Sequence, residues 1–174
     1  MQGLTFERVL AAYMAFAALL ALVLPGQFAV ELYVPVNPDF VPFASWLRRT
    51  PNALPYLTSY YLILTILLPI VVVLLARHPQ EAVLPPFEVP TLGRCVLATL
   101  AIAAIIGIFV MLHDVTLDGS QRARGTSIFY ISAISRLGLA LVGPIVMGVV
   151  SLVTYMAVVK LPKLWLGFLL VRPA

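Results

Sequence analysis

Charged side chains make up only 10% of the 174 residues, against roughly 25% in an ordinary soluble domain. With 62% of the residues hydrophobic, the chain has too little polar surface to cover an apolar core in water. That excludes a soluble globular enzyme, a disordered segment and a nucleic-acid-binding module. Cysteine is almost absent: Cys95 stands alone, so no intramolecular disulfide and no multi-cysteine metal site can form. The two histidines, His78 and His113, are too few for the usual bis-histidine haem within one chain. What remains is an integral membrane protein.

Long apolar runs are what the sequence does have. A helix crossing a hydrocarbon core of about 30 Å needs about 20 apolar residues, and four stretches qualify. The first runs from Val9 to Leu24, with a possible extension past Pro25-Gly26 to Val34. The others run from Tyr56 to Ala76, from Cys95 to Leu112 and from Leu137 to Val159. In lipid every backbone amide must be satisfied internally, and continuous runs of this length argue for helices over the short alternating strands of a barrel. The flank Leu24-Pro25-Gly26-Gln27-Phe28 lacks the small residues of a cleavage site, so the first run reads as a retained span rather than a signal peptide. The expected fold is all-α: a single polytopic membrane domain over residues 1–174, built as a four-span bundle with short interfacial helices.

The fourth span poses a question of register, because Arg136 lies inside a longer apolar stretch that begins at Ile128. Centring the span on the guanidinium would cost about 2.5–3.5 kcal/mol. Starting at Leu137 instead gives a helix of about 35 Å at 1.5 Å per residue, with Arg136 snorkelling to the membrane surface. Four spans put both termini on one side. That side carries Arg8, Arg77, Arg94, Lys160, Lys163 and Arg172, against Arg48, Arg49, Arg122, Arg124 and Arg136 on the other. The small excess places both termini in the cytoplasm.

Between the spans, Glu31–Pro55 is rich in proline, and Phe40, Phe43, Trp46 and Leu47 within it fall near one helical face. This reads as a short interfacial helix followed by Arg48-Arg49. The connector Arg77–Arg94 carries Pro79, Pro85, Pro86 and Pro90 and is expected to be extended. Asp114-Val115-Thr116-Leu117, the turn signal Asp118-Gly119 and the polar stretch Ser120–Arg124 predict a small hairpin. After Lys160, the spacing of Leu161, Leu164, Trp165, Phe168 and Leu169 predicts an amphipathic helix over the tail, 160–174, lying in the interface.

The cores of the four spans contain no Asp, Glu, Lys, Arg or His, and Glu31 reads as interfacial. Membrane enzymes and transporters usually place ionisable groups there, so neither catalytic residues nor a coupling carboxylate are expected. His113 and Asp114 make only half a metal site, and Asp114 and Asp118 do not match a calcium loop. Cys95 reads as a small apolar filler. No cofactor is expected. Small residues are better organised. Thr99, Ala103 and Gly107 recur every four residues on the third span, and Ala140, Pro144 and Gly148 repeat that spacing on the fourth. Such stripes let helix backbones approach closely, either inside the bundle or against another membrane protein. Pro69 and Gly143-Pro144 are expected to kink their helices.

Arg94-Cys95-Val96-Leu97 entering the third helix, then Asp114–Leu117, Gly119, Arg122-Ala123-Arg124 and Phe129-Tyr130-Ile131, resemble the immunity proteins that protect bacteria from pore-forming colicins of the colicin A type. The likeness covers under half the chain; the proline-rich first loop and the longer tail with Trp165 depart from it. It implies a small four-helix protein of the bacterial inner membrane, with cytoplasmic termini and no catalytic group. Such a protein recognises the toxin's helices in the bilayer and stops the pore from opening. The charged residues placed to contact a toxin are then Asp114, Asp118, Arg122, Arg124 and Arg136. An accessory subunit of a larger membrane complex would use the same packing features, and a small transporter is the third and weakest reading.

Overall fold

The computed structural model of the chain describes residues 5–25, 54, 56–77, 91–114, 131, 132 and 134–170. Every element among them is helical: α1 (Phe6–Val23), α2 (Leu57–Arg77), α3 (Leu92–Asp114), α4 (Arg136–Tyr155), a π-helical turn (Met156–Lys160) and α5 (Leu161–Leu170). Three helical stretches are long and apolar enough to cross a membrane: Phe6–Val23, Ser59–Arg77 and Arg136–Leu170. In α3 the stretch Leu92–Ile108 is apolar, and the helix runs on through residues 109–112 to Asp114. Four spans are expected from the sequence, and three helices among the described residues are long and apolar enough to be spans.

Local chemistry sets the helix ends. Thr5 caps α1 by accepting a hydrogen bond from the Arg8 amide, and Glu7 in the first turn complements the helix dipole. Residues 26–34, where the extension past Pro25 would run, lie outside the described residues. α1 itself ends at Val23, and Leu24 leaves the helix at φ −56° and ψ 123°. That extended geometry is what a following proline imposes through its Cδ. Ser135 caps α4, accepting from the Gly138 amide. The helix thus begins at Arg136, whose side chain is exposed.

α1 runs antiparallel to both α2 and α4. The Tyr13 hydroxyl donates to the Leu64 carbonyl at 2.9 Å, and the Phe6 and Tyr155 rings meet edge to face with centroids 5.4 Å apart. Phe6, Val9, Tyr13, Ala17 and Ala21 recur every three or four residues and form the buried face of α1. They meet Tyr56, Leu57, Tyr60, Tyr61 and Leu64 around α2 and Leu139, Val146, Met147 and Tyr155 from α4 in one continuous core. α3 stands apart from this core and packs chiefly on α5.

Two expectations change. The fourth helix does not stop at Val159: it continues through the π turn into α5, so the expected tail helix follows it without a gap in the helical backbone. In the π turn the Leu161 amide bonds back to the Met156 carbonyl, five residues earlier. Pro162, which has no N–H to continue the ladder, follows the π turn after Leu161. Asp114, expected to open a hairpin, is the last residue of α3. The rest of that hairpin, the first loop with Trp46 and the connector 78–90 lie outside the described residues. Pro69 and Pro144 both sit inside uninterrupted helices.

Candidate helix-docking face and its buried support

The two small-residue stripes have different fates. On α4, Pro144 and Gly148 are buried and Ala140 is half-buried, all against α1 and α2. A Cβ added at Gly148 would lie 3.2 Å from the Met14 sulfur, and one at Gly143 would run into the Tyr60 hydroxyl. The close approach of α1 and α2 to α4 thus depends on these two glycines. On α3 the stripe is uncovered by any described residue beyond its first member. Ala103 is exposed, and a Cβ added at Gly107 would meet nothing within 4 Å among the described residues. Only the first member is occupied: the Thr99 hydroxyl donates to the Cys95 carbonyl at 2.8 Å and accepts from the Trp165 indole at 3.1 Å. Below it Cys95 is buried, its thiol 3.9 Å from the Leu164 carbonyl, consistent with the packing role read from the sequence. Leu97, Leu100 and Ile108 leave the remaining surface of α3 apolar and exposed.

Of the charged residues assigned to toxin contact, Asp118, Arg122 and Arg124 lie outside the described residues, and Asp114 closes α3. The structure gives Arg136 an intramolecular task. Its Nη1 donates to the Leu22 carbonyl at 3.3 Å, and its guanidinium stands 5.2 Å from the Tyr56 ring centroid. The Tyr56 hydroxyl donates to the neighbouring Ala21 carbonyl, also at 3.3 Å. Carbonyls in the last turn of a helix have no intrahelical donor, and leaving them bare in an apolar medium costs several kcal/mol each. Arg136 and Tyr56 supply those donors to α1 from two other elements.

Sequence reasoning passed over the tyrosines. Tyr13, Tyr56, Tyr60, Tyr61 and Tyr155 are all buried, and Tyr60 and Tyr61 pack edge to face at 5.0 Å. Ser151, also buried, lies beside Tyr13 and donates to the Met147 carbonyl at 2.7 Å. The Tyr60 hydroxyl is the exception, fully buried against Gly143 with no hydrogen-bond partner. A signal was available: tyrosines at positions 56, 60 and 61 share an apolar run with no charge to hold them at a membrane surface. Among the described residues no three His, Cys, Asp or Glu side chains come together as a metal site would need. The arrangement offers hydroxyls for interhelical hydrogen bonds and an apolar face on α3. Comparison with protein-family models, curated proteins and solved structures finds no match.

Proposed function

We propose that the chain is a four-span protein of the bacterial inner membrane, both termini cytoplasmic, that acts as an immunity protein. In this reading α3 is the fourth span. It docks against the helices of a pore-forming toxin within the bilayer and holds the pore closed. The observation that carries it is the open stripe at Ala103 and Gly107 on the helix least packed into the core. A membrane helix that keeps small residues off its own bundle's interface presents a surface on which another helix can pack closely. The orientation draws support from charge. Arg8, Arg77, Arg94, Lys160 and Lys163 belong to the helix ends on the side of the Phe6–Tyr155 contact, and Arg136 to the opposite end. The absence of ionisable groups from the span cores favours recognition over transport.

The test is protection. Expression in sensitive cells should rescue growth against one pore-forming bacteriocin, starting with the product of any neighbouring gene, and leave killing by unrelated toxins unchanged. If the protein is abundant in the membrane and protects against none, the immunity reading fails. The open face then belongs to the accessory-subunit reading, which predicts that the chain co-purifies with a membrane complex.

A further inference from the structure

The helix from Arg136 to Leu170 has 35 residues, about 52 Å along its path at 1.5 Å per residue, against a hydrocarbon core of about 30 Å. Tyr155 already lies opposite Phe6, the first residue of α1. The polar boundary on that side is marked by Arg8, Arg77 and Lys160, the last with its ammonium 5.9 Å from the Tyr155 ring centroid. Arg136 to Lys160 is about 36 Å, a full crossing with modest tilt. α5 therefore begins where the bilayer core ends. Yet its sequence, LPKLWLGFLL, is unsuited to water, and Leu166, Leu169 and Leu170 are exposed. α3 meets the long helix mainly at α5, through Cys95 near Leu164 and Thr99 bonded to Trp165. From Cys95 to Asp114 is about 28 Å, one bilayer thickness measured from that contact.

We propose that α5 lies in the headgroup–acyl boundary of the leaflet on the side of the termini and is the platform on which α3 stands, with Lys160 and Lys163 binding anionic phospholipid headgroups. This one placement fits an apolar α5, a full-length crossing by α3 and a row of cations into a single bilayer thickness. The π turn and Pro162 supply a place where the helix can change direction to lie in the interface, since broken i to i−4 bonding is where helices bend. Trp165 takes the position tryptophans favour at a membrane surface, its indole N–H satisfied by Thr99. Two lysines within four residues, beside Arg77 and Arg94 at neighbouring helix ends, match the negative potential of a leaflet containing phosphatidylglycerol.

The inference rests on α3 being a span, but it is read by lipid depth and not by protection from a toxin, so either proposal can fail alone. The chain has two tryptophans, so Trp46→Phe leaves Trp165 as the sole emitter. The full-length variant, reconstituted in phosphatidylcholine–phosphatidylglycerol vesicles, should be quenched at least twofold more by nitroxide lipid labelled at acyl carbon 5 than at carbon 12. Stronger quenching at carbon 12 would make α5 part of a membrane-crossing helix and overturn the placement. Weak quenching by both, with access to aqueous iodide, would put α5 in solution and overturn it equally. For the lipid preference, adding phosphatidylglycerol to phosphatidylcholine vesicles should raise the unfolding temperature of the parent. Lys160→Gln with Lys163→Gln should lose more than half of that rise, each protein being compared with itself in the two lipids. An unchanged rise would remove the lysines from headgroup recognition.

Discussion

α3 and α4 carry the same spacing of small residues and use it differently. On α4 the stripe is consumed by folding, because Ala17 and Ala21 of α1 and Tyr60 of α2 are fully buried and Gly143 and Gly148 set how near the neighbouring helices come. On α3 no described residue packs on the stripe at Gly107, and among the described residues the helix is tied to the molecule through Cys95 and Thr99 near its start. A small-residue pattern therefore specifies that some backbone can come close without saying whose. The partner is decided by the residues opposite, and for α3 the described structure supplies none beyond its first turns.

Substitutions sharpen this contrast. The largest effect is expected for Gly143→Leu. The rigid Tyr60 ring blocks the added side chain, so the penalty lies at or beyond the upper end of the roughly 1–3 kcal/mol of overpacking, and the protein should be lost from the membrane fraction. Next is Arg136→Met, which strips the donor from the Leu22 carbonyl and the cation from Tyr56. Because the group is exposed, solvent screening limits the loss to about 0.5–1.5 kcal/mol, visible as a lower unfolding temperature in detergent. Tyr60→Phe should be neutral or slightly stabilising, since the hydroxyl it removes is buried without a partner and such a group costs about 1–3 kcal/mol. A clear loss of stability would show that the hydroxyl is bonded in the membrane. The smallest effect is expected at Gly107→Ala, where the new methyl meets no described residue and helix propensity gains up to about 1 kcal/mol.

Much of the helical framework was legible because apolar runs and proline act locally. Pro25 dictates the geometry of Leu24 and ends α1, and Ser135 with Arg136 sets the start of α4. Lys160, Pro162 and Lys163 look like a stop, but a π turn absorbs the proline and the helix continues. The apolar face of α5 was readable from its spacing. Its partner was not, because the Trp165–Thr99 bond joins residues 66 positions apart. The same limit hid the task of Arg136: the end of α1 it completes is 114 residues away. Of the site, both stripes were visible in sequence, but nothing local distinguishes the one that folds the bundle from the one left open.

The central claim is that the open stripe on α3 is a docking face and not part of the fold. Gly107→Leu tests it most directly, because membrane abundance and protection can be measured on the same cells. Expected are parental abundance and an unfolding temperature at or slightly above the parent's, since leucine gains nearly the helix propensity of alanine over glycine, together with loss of protection against the cognate pore-forming toxin. Parental abundance with undiminished protection would contradict it.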